Sequence, residues 1–274
     1  MHIIDRRIRV GAINYLNTTP LIYDLEWLAP EIELVLDLPG RLADLLGAGR
    51  LDVALIPTIE FLRHGGYTLL RDVAIASRGP VMSVTLFSHV PWHGIRRLAI
   101  DVGSRTSAAL AHIMLHKRHG VRPETVPLPL DCTAEDVDAD AILLIGDRAM
   151  RACLPGFAYA FDLGQEWHDW TGLPFVYAVW AVRPGAGLRG VAEAIQKAKR
   201  RGCAQIGEIA SQEASRRGLN AGFCRRYLAN VLHYDLGVRE LAGLRRFSAL
   251  AVELGIVTRR VGLEYHSAEE LQGV

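Results

Sequence analysis

Strand-like and helical runs alternate through the first two thirds of this chain, and that alternation is the tightest constraint on its fold. Residues 8–13, Ile-Arg-Val-Gly-Ala-Ile, read as a strand, as do 32–38 and 52–57, with helical patterns at 41–46 and 58–64. Further strands are predicted at 67–76 and 82–88. Such alternation implies an α/β class, with open, mostly parallel sheets flanked by helices. From about residue 91 the pattern restarts: a strand at 97–101, an amphipathic helix at 105–119, and strands at 125–129, 141–145, 157–163 and 175–182, with a helical stretch at 164–171. Beyond Gly187 almost everything reads as helix, at 191–216, 221–234 and 238–253. The restart and the helical return predict two lobes. Residues 1–88 and 182–274 form a discontinuous first lobe, 89–181 form the second, and 82–88 and 175–182 cross between them.

Two strand ends carry the same signal. The first strand runs into Asn14-Tyr15-Leu16-Asn17-Thr18-Thr19-Pro20-Leu21, small and polar residues ahead of a proline. Pro suits the first turn of a helix, and Asn or Thr ahead of it can cap free backbone N–H groups. The strand at 97–101 ends in Val102-Gly103-Ser104-Arg105-Thr106-Ser107, with Ser104 as a natural N-cap and two more hydroxyls in the first turn. That is more than one cap requires. A helix N-terminus attracts anions, and in open α/β sheets ligands sit at the carboxyl ends of strands. Ser104, Thr106 and Ser107 are therefore expected to cradle a carboxylate or phosphate, with the two cups closing on one anionic ligand. Arg105 either pairs with that ligand or faces solvent.

Bulk properties narrow the partners. The chain has 274 residues, and 31 Lys and Arg balance 30 Asp and Glu to a formal net charge of +1. That leaves no electrostatic footprint for nucleic acid or an anionic membrane. No window approaches ~18 uninterrupted apolar residues, so no membrane span is expected. Residues 1–7 carry no apolar h-region or lipidation cysteine, and Cys132, Cys153, Cys203 and Cys224 form no CxxC pair. A cytoplasmic, reduced protein is expected. His112, His116 and His119 share one side of a helix without an accompanying carboxylate motif, so no metal site is expected.

A wider set of motifs runs along nearly the whole chain. It begins with Tyr15-Leu16-Asn17 and Pro20-Leu21, then Ser83-Val84 through Phe87-Ser88, and Ser104-Arg105-Thr106-Ser107. Leu144-Ile145-Gly146-Asp147, Glu166-Trp167, and Thr171-Gly172-Leu173-Pro174-Phe175-Val176 with Ala178-Val179-Trp180 follow. Tyr227-Leu228 through Tyr234, Leu236-Gly237, Gly243-Leu244 and Phe247 complete it. Singly these are weak signals. In this order and spacing they resemble the chorismate dehydratase family of the futalosine route to menaquinone. The resemblance implies a two-lobed, periplasmic-binding-protein-like fold of type II with two crossing strands, used as a cytoplasmic enzyme. One departure is Met82, where the family pattern calls for a basic residue before Ser83.

The activity implied is a hydro-lyase reaction, chorismate to 3-[(1-carboxyvinyl)oxy]benzoate and water. Ring C3 loses its proton and C4 its hydroxyl; aromatisation drives the reaction, so no cofactor is required. Such an enzyme needs anion cups, donors around the ring carboxylate, help for leaving hydroxide and a water-poor cleft. The resemblance casts Asn17 as catalytic, donating to a carboxylate or to the leaving hydroxyl, although Asn in a turn is also a common cap. It casts Tyr15, Ser83, Ser104, Arg105, Thr106, Ser107, Gly146, Asp147 and Tyr177 as substrate-binding, with Ser83, on a crossing strand, either reaching the cleft or packing between the sheets. Asp147 is equally placed to cap the next helix, and Tyr177 and Trp167 either wall the ring or fill the core. No His or Glu falls within either cup. The C3 proton therefore passes to the substrate's own enolpyruvyl carboxylate, the favoured reading, or to Asp101 or Asp147. Two rival readings are a solute-binding protein for a small carboxylate, which would require export, and the related 1,4-dihydroxy-6-naphthoate synthase, which lacks the YLN and SRTS pair.

Overall fold

The computed structural model describes residues 7–129, 131–133 and 136–266; the stretch read above as leaderless lies, but for Arg7, outside them. The chain enters through β1 (Ile8–Ile13), β2 (Ile32–Asp37), β3 (Val53–Pro57) and β4 (Thr68–Ser77). It crosses to β5 (Val84–Ser88), β6 (Arg97–Asp101), β7 (Glu124–Leu128), β8 (Ala141–Ile145) and β9 (Tyr159–Asp162), then returns through β10 (Phe175–Val182) and the short β11 (Leu232–His233). The first sheet is six-stranded, in the order β11-β4-β10-β3-β1-β2, and the second five-stranded, β7-β6-β8-β5-β9. Helices α1 (Leu25–Leu28), α2 (Pro39–Gly47), α3 (Thr58–His64), α4 (Thr106–Lys117), α5 (Gly146–Arg151) and α6 (Leu163–Thr171) connect the strands. Four more, α7 (Val191–Ala204), α8 (Ile206–Arg217), α9 (Ala221–Arg226) and α10 (Val238–Glu253), form the helical return.

Both sheets follow one plan, although the sequence contains no repeat. β1 lies parallel between β2 and β3, and β6 lies parallel between β7 and β8. The next strand out is antiparallel and arrives from the other sheet: β10 between β3 and β4, β5 between β8 and β9. The two polar turns therefore follow equivalent strands, β1 and β6, at their carboxyl ends. At Gly11 the backbone of β1 is packed so closely that a Cβ would lie 2.6 Å from Leu51 Cδ1.

Several expectations change. The sheets are mixed rather than mostly parallel, because the strands arriving by the crossings run antiparallel to their neighbours. The boundaries at 88 and 182 misplace two strands: β5 belongs to the second sheet and β10 to the first. The crossings are instead made by residues 78–83 and by α6 with residues 172–174. β10 is buried at nearly every position, so its composition suits the middle of either sheet. α4 is not amphipathic, since it packs against α3, α6, α10 and β10 and buries most of its side chains. The helix read at 191–216 breaks at Gln205, and that at 221–234 ends in a π-helical turn (Tyr227–Val231) before β11. Among the described residues no helix is long and apolar enough to cross a membrane, and all four cysteines are free.

Asp162 holds the two crossings together. Its carboxylate accepts from Val81 N at 3.0 and 2.9 Å and from Met82 N at 2.7 Å on the outgoing segment. It also accepts from Gly164 N at 2.9 Å and Gln165 N at 3.1 Å, capping α6 on the return. Met82 sits at φ 62°, a left-handed conformation that costs a residue with a Cβ roughly 1–2 kcal/mol. Charge-assisted hydrogen bonds of this number outweigh that cost. Asp162→Ala is expected to destabilise the protein by roughly 2–4 kcal/mol, and Asp162→Asn, which keeps one acceptor oxygen, by less. Urea unfolding checks this, and an unchanged midpoint for the alanine variant would leave the crossings held by strand packing alone.

Candidate active site between the two sheets

The two polar turns line one cleft, of about 530 Å³ when the open space at its mouth is included. Its walls are largely apolar, with Ile13, Ile75, Val81, Val84 and Ile145 prominent. The polar groups are few: Tyr15 and Asn17 after β1, Ser83 on the outgoing crossing, Arg105, Thr106 and Ser107 at the start of α4, and Tyr177 on β10. An apolar cleft with a few convergent polar groups is the usual form of a small-molecule site. Among the described residues lining it, none is Asp, Glu or His, and Arg105 is the only cation.

The turn after β1 is tighter than expected. Leu16–Leu21 forms a 3-10 helix with Pro20 inside it, and Tyr15, extended at φ −121° and ψ 161°, precedes it without a side-chain cap. No α-helical anion cup forms here; Leu16 N donates instead to Asp147 Oδ1 at 3.3 Å. The Tyr15 ring lies on Gly146, where a Cβ would stand 2.9 Å from Tyr15 Cε2 and where φ is 58°. Close approach and positive φ both require glycine there. Burial, followed by the charges of Asp101 and Asp147, pushes the Tyr15 phenol well above its usual range. Asn17 Oδ1 accepts from Thr18 Oγ1 at 3.2 Å. Nearby, Tyr227 Oη donates to Ser83 Oγ at 2.8 Å.

At the start of α4 each side chain takes a different job. Ser104 is not the cap: that position falls to Arg105, and Ser104 Oγ is buried without a partner beside a separate groove lined by Glu60, Asp101 and His112. The Asp101 carboxylate and carbonyl take Gly103 N at 2.9 Å and Ser104 N at 2.8 Å, so Asp101 closes this turn. Arg105 does not face solvent. It forms a bidentate pair with Asp44 on α2, both bonds 2.9 Å, approaches Glu60 on α3 at 3.3 Å, and lies over Gly40, where a Cβ would meet its Nε at 2.8 Å. Thr106 Oγ1 accepts from Ile59 N at 3.2 Å, at the start of α3. Ser107 lines the cleft and has no side-chain partner among the described residues.

The remaining expected residues divide. Tyr177 lines the cleft, its hydroxyl 3.1 Å from Ser77 Oγ, and burial pushes its phenol far up. Asp147 does not line it and is not an N-cap, a position taken by Ile145; its carboxylate is paired with Arg217 on α8. Asp101 bonds Gly103 N and Arg148, 3.0 Å away; burial raises its carboxyl, and those two partners only partly oppose the rise. Trp167 is core, with Nε1 donating to Pro174 O at 3.1 Å. The three histidines do not converge: His112 meets Thr125, His116 meets Arg122, and His119 stacks on Trp92. Tyr227, Asp162 and Arg217 were not singled out by the sequence reading. A Tyr or Arg inside a helical run carries no cleft signal, and only the position of Tyr227 within the wider motif set pointed to it.

These roles predict different penalties. Thr106→Val leaves the buried Ile59 N–H unpaired and is expected to cost about 1–3 kcal/mol. Ser107→Ala removes a hydroxyl with no protein partner and is expected to stay within ~0.5 kcal/mol of the wild type. Equal losses in urea unfolding would give Ser107 a structural task.

The profile of the menaquinone biosynthesis family matches residues 8–253. The chorismate dehydratase of Thermus thermophilus is 31% identical over 258 residues, which cover 87% of this chain and 93% of that protein. The chorismate dehydratase of Campylobacter jejuni is 28% identical over 245 residues, 86% of this chain and 94% of that one. Among solved structures, an Archaeoglobus fulgidus protein superposes with a TM-score of 0.74 at 21% identity, covering 93% of this chain and 100% of that one. The periplasmic aliphatic sulphonate binding protein of Escherichia coli does so with 0.66 at 17%, covering 98% and 94%. At those identities the structures establish the fold alone, which is periplasmic-binding-protein-like. With its profile matched across both sheets, the chain belongs to the menaquinone biosynthesis family.

Proposed function

We propose that the chain is a cytoplasmic hydro-lyase that converts chorismate to 3-[(1-carboxyvinyl)oxy]benzoate and water. The observation that carries this reading furthest is the lining of the cleft: hydrogen-bond donors and one cation, with no carboxylate or imidazole among the described lining residues. A protein base is missing from such a site, and chorismate brings its own. Its enolpyruvyl carboxylate takes the proton from C3 when the cleft holds the two in near-attack geometry. The electron pair spreads toward the ring carboxylate, the C4–O bond breaks, and the departing hydroxide regains the proton as water. Arg105 and Ser107 serve the substrate's negative charge, and Asn17 and Ser83 donate to oxygen on which charge develops. Asp101 and Asp147 are poor rivals as bases, because both oxygens of each are occupied by protein donors.

Incubating purified protein with chorismate and following aromatic product by chromatography tests the reading. Turnover is expected, and Asn17→Ala is expected to lower it about tenfold or more with the circular dichroism unchanged. Chorismate that binds and stays intact would instead support the solute-binding alternative. The pH profile gives a second check. Burial holds the phenols of Tyr15 and Tyr177 above their usual range, and the hydrogen bonds that Arg105 donates to Asp44 keep its guanidinium charged. With no lining group left to titrate, kcat is expected to be level from about pH 6 to about pH 9. An acid limb with a midpoint near neutrality would place the base on the protein.

A further inference from the structure

Ser83 lines the cleft, and a residue outside the cleft engages its hydroxyl. Tyr227 Oη donates to Ser83 Oγ at 2.8 Å. Tyr227 is fully buried and does not line the cleft, whereas Ser83 does. A phenol and a serine hydroxyl each carry one proton. The Tyr227 proton goes to Ser83, so Ser83 must direct its own elsewhere, and Ser83 Oγ has no further partner among the described residues. That remaining proton belongs to a residue that lines the cleft.

We propose that Tyr227 is a positioning residue for the dehydration: it sets Ser83 as a hydrogen-bond donor toward the oxygens of chorismate on which charge develops. This role rests on the dehydratase reading. The backbone is shaped for it, since Tyr227 opens the π-helical turn at the end of α9, with Leu232 N reaching back to Tyr227 O. Turns of that kind concentrate at functional sites. Burial also holds the phenol far above its ordinary range, its hydrogen bond with Ser83 only partly opposing this. A phenolate there would accept from Ser83 and reverse that bond. Buried tyrosines usually pair their hydroxyls for packing reasons alone. Tyr234 offers the comparison, because it is similarly buried and its hydroxyl has no partner.

Kinetics on chorismate separate the two roles, with wild type, Tyr227→Phe, Ser83→Ala, their double variant and Tyr234→Phe as the set. Tyr227→Phe is expected to lower kcat about tenfold or more and to move KM by less than about threefold, since aligned donors act on charge that develops in the transition state. The losses of Tyr227→Phe and Ser83→Ala are expected to combine to well below their product, because one acts through the other. Tyr234→Phe is expected to keep the wild-type kcat. Thermal melting monitors folding; should Tyr227→Phe melt early, 4-fluorophenylalanine at 227 fills the hydroxyl's space without donating and is expected to show the same kcat loss. Active wild type with an unchanged kcat in Tyr227→Phe, or losses that multiply in full, or an equal loss in Tyr234→Phe, would overturn the positioning role. Wild type that yields no aromatic product would overturn the dehydratase reading itself, a different and separately visible failure.

Discussion

Four backbone N–H groups from two separated stretches of chain point at one carboxylate, that of Asp162. The site between the sheets depends on this convergence. The outgoing crossing carries Ser83 on one side of it, and the return crossing leads through α6 to Tyr177 on β10. Around it the packing leaves no slack: a Cβ at Gly164 would stand 2.6 Å from both Gly79 O and Tyr177 Oη. Held at one charged point, the crossings bring residues from both sheets into fixed register. The strained φ of Met82 follows from that arrangement, because its N–H must turn toward Asp162. A basic side chain at 82, as the family resemblance calls for, would sit on the same strained backbone.

Two sets of ion pairs also join elements of the two sheets, and their exposure sets them apart. Arg105 meets Asp44, whose side chain is 64% exposed. Pairs so open to water contribute about 0–1 kcal/mol, so exchanging Asp44 for a substrate carboxylate costs the fold little. Arg217 and Asp147 are only 19% and 11% exposed, and Glu213 and Leu16 N complete their bonding. Removing one partner there strands a buried charge, which typically costs a few kcal/mol. Arg105 is thus the pair that can yield to a ligand. Asp147 is fixed in place, holding the turn that presents Tyr15 and Asn17.

The sequence made the strand ends legible because hydroxyls and amides after an apolar run are conspicuous, and Tyr15, Asn17, Arg105, Thr106 and Ser107 do line one cleft. It was misleading where a single rule had two physical solutions. Ser104 has the composition of a cap, but Asp101 closes the turn first and leaves the serine on the far side. Asp147 follows a strand and a glycine, as cleft residues often do, yet its partner is an arginine 70 residues later in the chain. Local pattern carries no information about such a pairing. The same limit hid Tyr227, whose significance comes from a π-helical turn and from a partner, Ser83, 144 residues away in sequence. The strand-to-sheet assignment failed for a related reason, since β10 is apolar throughout and fits either sheet.

The cleft between the two sheets already provides an apolar pocket with hydrogen-bond donors and one cation among its described lining residues. Tight binding alone gives no rate, because donors that hold substrate and transition state equally well leave the barrier where it was. On the dehydratase reading, the step from binder to catalyst lies in which donors answer to developing charge. Thr106 holds α3, and on that reading Arg105 and Ser107 meet charge that chorismate carries throughout the reaction. Ser83 has the role proposed above, since the buried phenol of Tyr227 donates to it and leaves the serine's own proton for the cleft before any substrate arrives. Preorganised donors need no rearrangement when the C4–O bond breaks, and in an apolar cleft each counts for more than it would in water. On the substrate-assisted reading proposed above, the reaction supplies its own base and its own driving force, and needs little more from the protein than that, together with the exclusion of water.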